Sequence, residues 1–192
     1  NPVVLQENKN FKTDFGGPKF SVSRTSEVGI VANAIDDKYP LNILFEKMDK
    51  SGRRIPLLDR TFKYIGTKLA TDIIPVEDGG FAITGYWKEN PGDPTLILFG
   101  KIDTKGKGVI HLINSKVSVV GLDIEQAFNG GYAVLRAREN EENKELYDLS
   151  FFIIDDDGDP TDCSNDLPCS IKTEDVLNYE PAMIKTNDGF ID

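Results

Sequence analysis

One histidine (His111), one tryptophan (Trp87) and two cysteines are all that 192 residues supply of the rarer reactive side chains. A lone histidine with no serine or cysteine in register forms no nucleophile–base pair, so His111 reads as structural rather than as a catalytic base. Two cysteines cannot fill a tetrahedral zinc site, and the spacing of Cys163 and Cys169 suits neither a zinc ribbon nor a CxxC redox pair. Long apolar runs are missing too. The longest stretches are Thr95–Phe99 and Ser150–Ile154, whereas a membrane-spanning helix needs about 20 apolar residues. Positive charge is in deficit, with 22 Lys and Arg against 32 Asp and Glu and a net charge of −10. A nucleic-acid backbone would be repelled, so no nucleic-acid partner is expected. Gly16-Gly17-Pro18 and Gly79-Gly80 lack the helix that would receive a phosphate, so no nucleotide-binding loop is present. No catalytic constellation stands out, and the expectation is a non-enzymatic protein.

What the chain does have is a repeat. Four segments share an extended run, a glycine-centred turn and a second extended run: Phe20–Ala34, Asp72–Tyr86, Asp123–Arg136 and Ala182–Asp192. Taking Gly29, Gly80, Gly131 and Gly189 as the turn glycines gives intervals of 51, 51 and 58 residues. A second landmark keeps step with the first three copies. It is an apolar strand ending in Asp-x-x-Gly, in Leu41–Gly52, Leu96–Gly106 and Leu149–Gly158, with Asp49, Asp103 and Asp155 spaced by 54 and 52 residues. Residues that tolerate positive φ suit tight hairpins, and an aspartate can bond its own backbone two residues on. The flanking runs are rich in Ile, Val, Phe, Tyr and Leu, as half-buried strands require.

The pattern therefore predicts an all-β protein of four-stranded units of about fifty residues, with Gly108–Ile113 as an example of the fourth strand. A β-propeller, small or partial, fits that interval. A β-sandwich built from the same hairpins is the alternative, disfavoured because sandwiches seldom keep so regular a long period. The units fall at about 16–66, 67–117, 118–175 and an incomplete fourth at 176–192, together one repeat domain over 1–192. A propeller usually needs four or more blades, so the expectation is a segment of a longer chain. The opening Asn1-Pro2-Val3 reads as a processed or trimmed start.

The turn Asp78-Gly79-Gly80-Phe81 followed by Lys101-Ile102-Asp103-Thr104-Lys105-Gly106 resembles a bacterial repeat family built of tandem "DGG-aromatic … K-x-D-x-x-G" units. Its members are exported, many of them surface proteins or lipoproteins of Bacteroidetes and relatives. Asn129-Gly130-Gly131-Tyr132 with Asp155–Gly158 matches as well, with Ile153 in place of the lysine, while Glu27-Val28-Gly29-Ile30 departs from the pattern. The resemblance covers about residues 20–192. It implies a propeller-like fold and a place at the cell surface or exterior, with the periplasm second, and no known chemistry. A cysteine pair often follows the last Asp-x-x-Gly in that family, which is where Cys163 and Cys169 stand.

Three sets of residues are candidates for function. For Cys163 and Cys169 a local disulfide is the simpler account and implies an oxidising compartment, against two reduced thiols. The run Asp155–Asp162 offers alternating carboxylates, and hard calcium is held by several oxygens from a flexible turn. Its ligands would be Asp155, Asp157, Asp159 and Asp162; the competing reading is a solvated acidic turn, because the run lacks the EF-hand layout. The loops at 35–40, 87–94 and 137–145 share one rim of a propeller and differ in length, as contact loops on a scaffold do. Tyr39, Tyr86 and Trp87 are their aromatics, either anchors for a protein or glycan or packing for their own sheet. Three functions follow: a cell-surface or exported binding or scaffold module, a polysaccharide-active propeller enzyme, or a structural subunit of an outer-membrane assembly, with any lipid anchor outside this sequence.

Overall fold

The computed structural model describes residues 18–34, 42–55, 60–62, 66–113, 117–127, 130–143, 146–161 and 171–174. They form twelve β-strands and, among the described residues, no helix. Three antiparallel sheets result. The first is the meander β1 (Lys19–Val22), β2 (Val28–Ala34), β3 (Asn42–Met48) and β4 (Arg60–Phe62). The second runs β5 (Thr67–Pro75), β6 (Phe81–Lys88), β7 (Leu96–Ile102) and β8 (Gly108–Ile113). The third holds β9 (Val119–Gln126), β10 (Tyr132–Glu139) and β11 (Tyr147–Ile154). The all-β expectation is met. The sheets do not close on one another among the described residues.

One strand departs from the repeat. The segment after the third Asp-x-x-Gly forms β12 (Ile171–Glu174), which pairs antiparallel with β8 of the second sheet and not with β11. The outer edge of β8 would otherwise present unpaired N–H and C=O groups, and β12 satisfies them.

Two kinds of five-residue turn generate the meanders. In the first, the N–H of the opening residue bonds the carbonyl of the fifth, and the N–H of the fourth bonds the carbonyl of the opening residue. Ser23–Glu27, Val76–Gly80 and Ala127–Gly131 all do this, at 2.7–3.1 Å. The fourth residue takes positive φ: 64° at Ser26, 87° at Gly79 and 93° at Gly130. This corrects the sequence alignment of the first unit. Gly29 is not a turn residue; it lies inside β2, and the true counterpart of Gly80 is Glu27. The two glycines of the later copies have separate jobs. Gly79 supplies the left-handed conformation, whereas a Cβ on Gly80 would collide with the carbonyl oxygen of Ile102.

The second turn is Asp-x-x-Gly. Asp103 Oδ1 accepts the N–H groups of Lys105 at 2.9 Å and Lys107 at 2.8 Å. Asp49 does the same with Ser51 and Arg53, and Asp155 with Asp157 and Asp159. One carboxylate oxygen thus satisfies two backbone donors that the hairpin leaves free.

The sheets stack face on face through two apolar layers. Val31, Ile43 and Phe45 of the first sheet meet Ile73, Phe81, Ile83 and Leu98 of the second. Ile97, Phe99 and Ile113 on the other face of the second meet Ile124, Tyr132, Val134 and Phe152 of the third. The layers repeat each other. Phe45 and Phe81 pack 5.7 Å apart across the first interface, and their repeat counterparts Phe99 and Tyr132 pack 5.1 Å apart across the second. Such tilted pairs add about 0.5–1.5 kcal/mol beyond area burial.

Polar links cross the same interfaces. The side chain of Asn33 in β2 accepts the N–H of Ala70 at 2.9 Å and donates to its carbonyl at 3.1 Å. Thr71 Oγ1 donates to the Gly121 carbonyl at 2.7 Å. Both links fall at the β5 bulge between Ala70 and Asp72, and the second also meets the β9 irregularity that follows Gly121.

Candidate functional site

The strongest cluster of titratable groups lies between β5 and β9. Both strands carry a bulge at the same point of the repeat, with Thr71 the extra residue in β5 and Leu122 the extra residue in β9. A bulge re-aims the residue that follows it. Here those residues are Asp72 and Asp123, which converge on one backbone donor. The N–H of Ile124 points to Asp72 Oδ2 at 3.2 Å and to Asp123 Oδ1 at 3.1 Å.

The two carboxyl groups thus lie close together, each with one oxygen on the same N–H. Burial pushes the Asp72 carboxyl up to about 6, and the hydrogen bond and negative charge of Asp123 add to the rise. The N–H groups of Ile124 and Ile73 oppose it. Neighbouring acids held in different environments can act as acid and base. Glycoside cleavage, however, uses carboxyl groups separated by about 5–9.5 Å so that a sugar or water fits between them. Here one oxygen of each carboxyl is turned onto the Ile124 N–H. Bonded between two sheets and to a strand N–H, the pair works as a junction.

Sequence reasoning did not select this pair from 32 acids. The signal was present: Asp72-Ile73 and Asp123-Ile124 each stand nine residues before the aromatic that follows a Gly-Gly turn, Phe81 and Tyr132. What could not be read was the bulge that brings the side chains together.

A second cluster joins the turns along one rim. Lys101 Nζ lies 2.7 Å from Asp156 Oδ1 and 3.5 Å from Asp78 Oδ2, and the Tyr132 hydroxyl donates to the same Asp156 oxygen at 3.3 Å. Burial works against the lysine's charge, but the bond to Asp156 and the charges of Tyr132, Asp156 and Asp78 outweigh it, so its pKa lies above the ordinary value. Burial pushes Tyr132 up to about 12. The repeat counterpart Lys47 is buried in the first sheet and paired with Glu27 at 2.9 Å.

The residues singled out from sequence are placed as follows. Asp155 caps its turn, while Asp157 and Asp159 are exposed and contribute backbone N–H groups to it; Asp162 lies outside the described residues. Among the described residues no group of three His, Cys, Asp or Glu gathers in a form that could hold a metal. Cys163, Cys169 and Tyr39 also lie outside the described residues. Trp87 corrects the idea of a rim anchor. It belongs to β6, is only 8% exposed, and packs in the layer between the first two sheets. Its alternation with Tyr86 turns the larger ring inward and leaves Tyr86 half-buried, with its hydroxyl pKa raised by burial.

His111 sits in β8 with its ring 6.0 Å from that of Phe99. A Cβ on Gly158 would stand 2.8 Å from His111 Cδ2, so the ring lies beneath the third Asp-x-x-Gly turn. Burial lowers its pKa against the opposing charges of Asp159, Asp155 and Asp157. Its Nδ1 has no hydrogen-bond partner among the described residues. Against Phe99 and beneath the Gly158 turn, it packs between the second and third sheets.

Compared with known proteins, the chain matches no family model and no curated protein. Among the described residues no helix is long and apolar enough to cross a membrane.

Proposed function

We propose that this chain is a run of β-propeller blades serving as a non-catalytic binding or scaffold module, exported or on the cell surface, that contacts a protein or glycan through loops on one rim. The observation that carries the reading is a division of labour between the two ends of each meander. One end holds the repeated five-residue turns, Asp-x-x-Gly among them, whose backbone hydrogen-bond pattern is the same in all three units. The other end holds loops that differ in sequence and length, and among the described residues two of them are braced by their own side chains. In the β6–β7 loop, Asp93 Oδ2 accepts the backbone and side-chain N–H groups of Asn90, both at 2.9 Å. In the β10–β11 loop, Asn140 Oδ1 accepts the N–H groups of Glu142 and Asn143, both at 2.9 Å. Arg138 pairs with Glu141 beside them. Pre-ordered polar loops on a rigid sheet bind at a lower entropic cost than free ones.

The placement outside the cytoplasm rests on the Gly-Gly-aromatic and Asp-x-x-Gly motifs and on Cys163 with Cys169. A polysaccharide-active enzyme is the weaker reading, because one oxygen of each carboxyl in the Asp72–Asp123 pair is committed to the Ile124 N–H. To test the binding reading, residues 89–95 and 140–146 are replaced by Gly-Ser loops of equal length. Binding of envelope polysaccharide and solubilised envelope proteins is then measured at physiological salt. Binding by the intact chain that is lost in the loop variants, with thermal stability kept, supports the reading. An intact chain that binds nothing in either fraction overturns it.

A further inference from the structure

Each sheet offers the next one a matching apolar row from its third strand. The rows are Ile43–Phe45 in β3, Ile97–Phe99 in β7 and Leu149–Phe151 in β11, each ending before the turn aspartate. The first two rows are covered: Ile43, Phe45 and Phe99 are 0% exposed and Ile97 is 1% exposed. The third is bare, with Leu149 at 68% and Phe151 at 73%. Leu135 on the neighbouring strand and Tyr147 beyond the row are exposed as well. A row that is buried twice and open once at the same place in the repeat is a docking face.

What covers the first two rows is also repeated. In both cases it is the first hairpin of the following unit, which sets the aromatic after its turn against the row: Phe81 on Phe45, and Tyr132 on Phe99. The chain runs 36 residues from Phe45 to Phe81 and 33 from Phe99 to Tyr132. A comparable 39 residues beyond Phe151 stands Phe190, directly after Asn187-Asp188-Gly189 in the fourth copy of the pattern. Residues 182–192 lie outside the described residues. We propose that the segment Ala182–Asp192 docks on the open face of the third sheet, with Phe190 against Phe151 as the third member of the aromatic series. This rests on reading the units as successive blades, and it names what completes the third interface.

The test is a thermodynamic cycle on the full chain. Phe151→Ser, Phe190→Ser and the double variant are compared by thermal unfolding, and amide hydrogen exchange is followed in the peptide 182–192. The expected result is that each single variant lowers the melting temperature and the double variant lowers it by less than the sum. The segment's amides should exchange at least tenfold more slowly than in the isolated peptide, and Phe151→Ser should remove that protection. Trp87 emission, which reports the first interface, reveals whether the variants keep their fold. Unchanged melting temperatures with exchange at the isolated-peptide rate would overturn the proposal. Additive losses would overturn it as well, and so would a concentration-dependent dimer abolished by Phe151→Ser, since a second copy would then be the occupant. None of these outcomes decides the rim-loop reading, which the loop replacements test separately.

Discussion

Replacing Asp72 by Asn should stabilise the protein at neutral pH and do little in acid. The folded state holds the Asp72 carboxyl at about 6, against an ordinary value of 3.8. Below pH 3.8 the group is protonated whether the chain is folded or not, and no penalty arises. Between 3.8 and about 6 the unfolded chain releases the proton while the folded chain keeps it, so stability declines as pH rises. Above about 6 the loss is complete and stays constant. At about 1.36 kcal/mol per pH unit the difference corresponds to about 3 kcal/mol. Solvent reaches this half-buried site, and screening reduces the figure to about 1.5 kcal/mol. Asn has the shape of the protonated acid, can still accept the Ile124 N–H, and can donate to Asp123. For a domain of this size the gain corresponds to about 3–6 °C in melting temperature. Thermal unfolding of both proteins at pH 4 and pH 8 measures it. The expected result is a higher melting temperature for the variant at pH 8 and near-equality at pH 4. Equal shifts at both pH values, or a less stable variant at pH 8, would refute a raised, burial-penalised Asp72 carboxyl at the junction.

Three further outcomes are expected. Asn33→Ala removes the side chain that bonds both backbone groups of Ala70; chemical denaturation should show a loss of about 1–3 kcal/mol. Asp103→Ala strips two N–H groups of their acceptor and should cost about 1–2 kcal/mol, while Asp103→Asn should retain most of that stability; comparing the two separates the cap from the charge. If the chain works outside the cytoplasm, thiol titration of the denatured, unreduced protein should find neither Cys163 nor Cys169 free, and two reactive thiols would remove that support for export.

The strands and turns were readable because their causes are local. A left-handed residue at the fourth turn position and an aspartate capping two N–H groups act within five residues, so they leave a mark in the chain at a fixed interval. The first unit hides its turn in the sequence because Ser26 takes the positive φ that Gly79 and Gly130 take in the later units, leaving Gly29 as the nearest glycine. Gly29 has a different cause. A Cβ there would lie 2.6 Å from the Phe81 ring, so the residue answers to the neighbouring sheet. Trp87 was ambiguous for a similar reason, since alternation places it on one face without saying whether another sheet covers that face. The Asp72–Asp123 junction depends on two bulges and a third strand's N–H. Those are properties of the stack, and no single segment encodes them.

The return of β12 to β8 has a mechanical consequence. Ile113 and Ile171 are direct cross-strand neighbours, so everything between them is an excursion pinned at both ends to one sheet. When the third sheet opens, it opens as a tethered loop instead of a loose tail, and the entropy released is correspondingly smaller. A protease that nicks the loop at 140–146 should therefore leave two pieces that migrate together until a denaturant separates them.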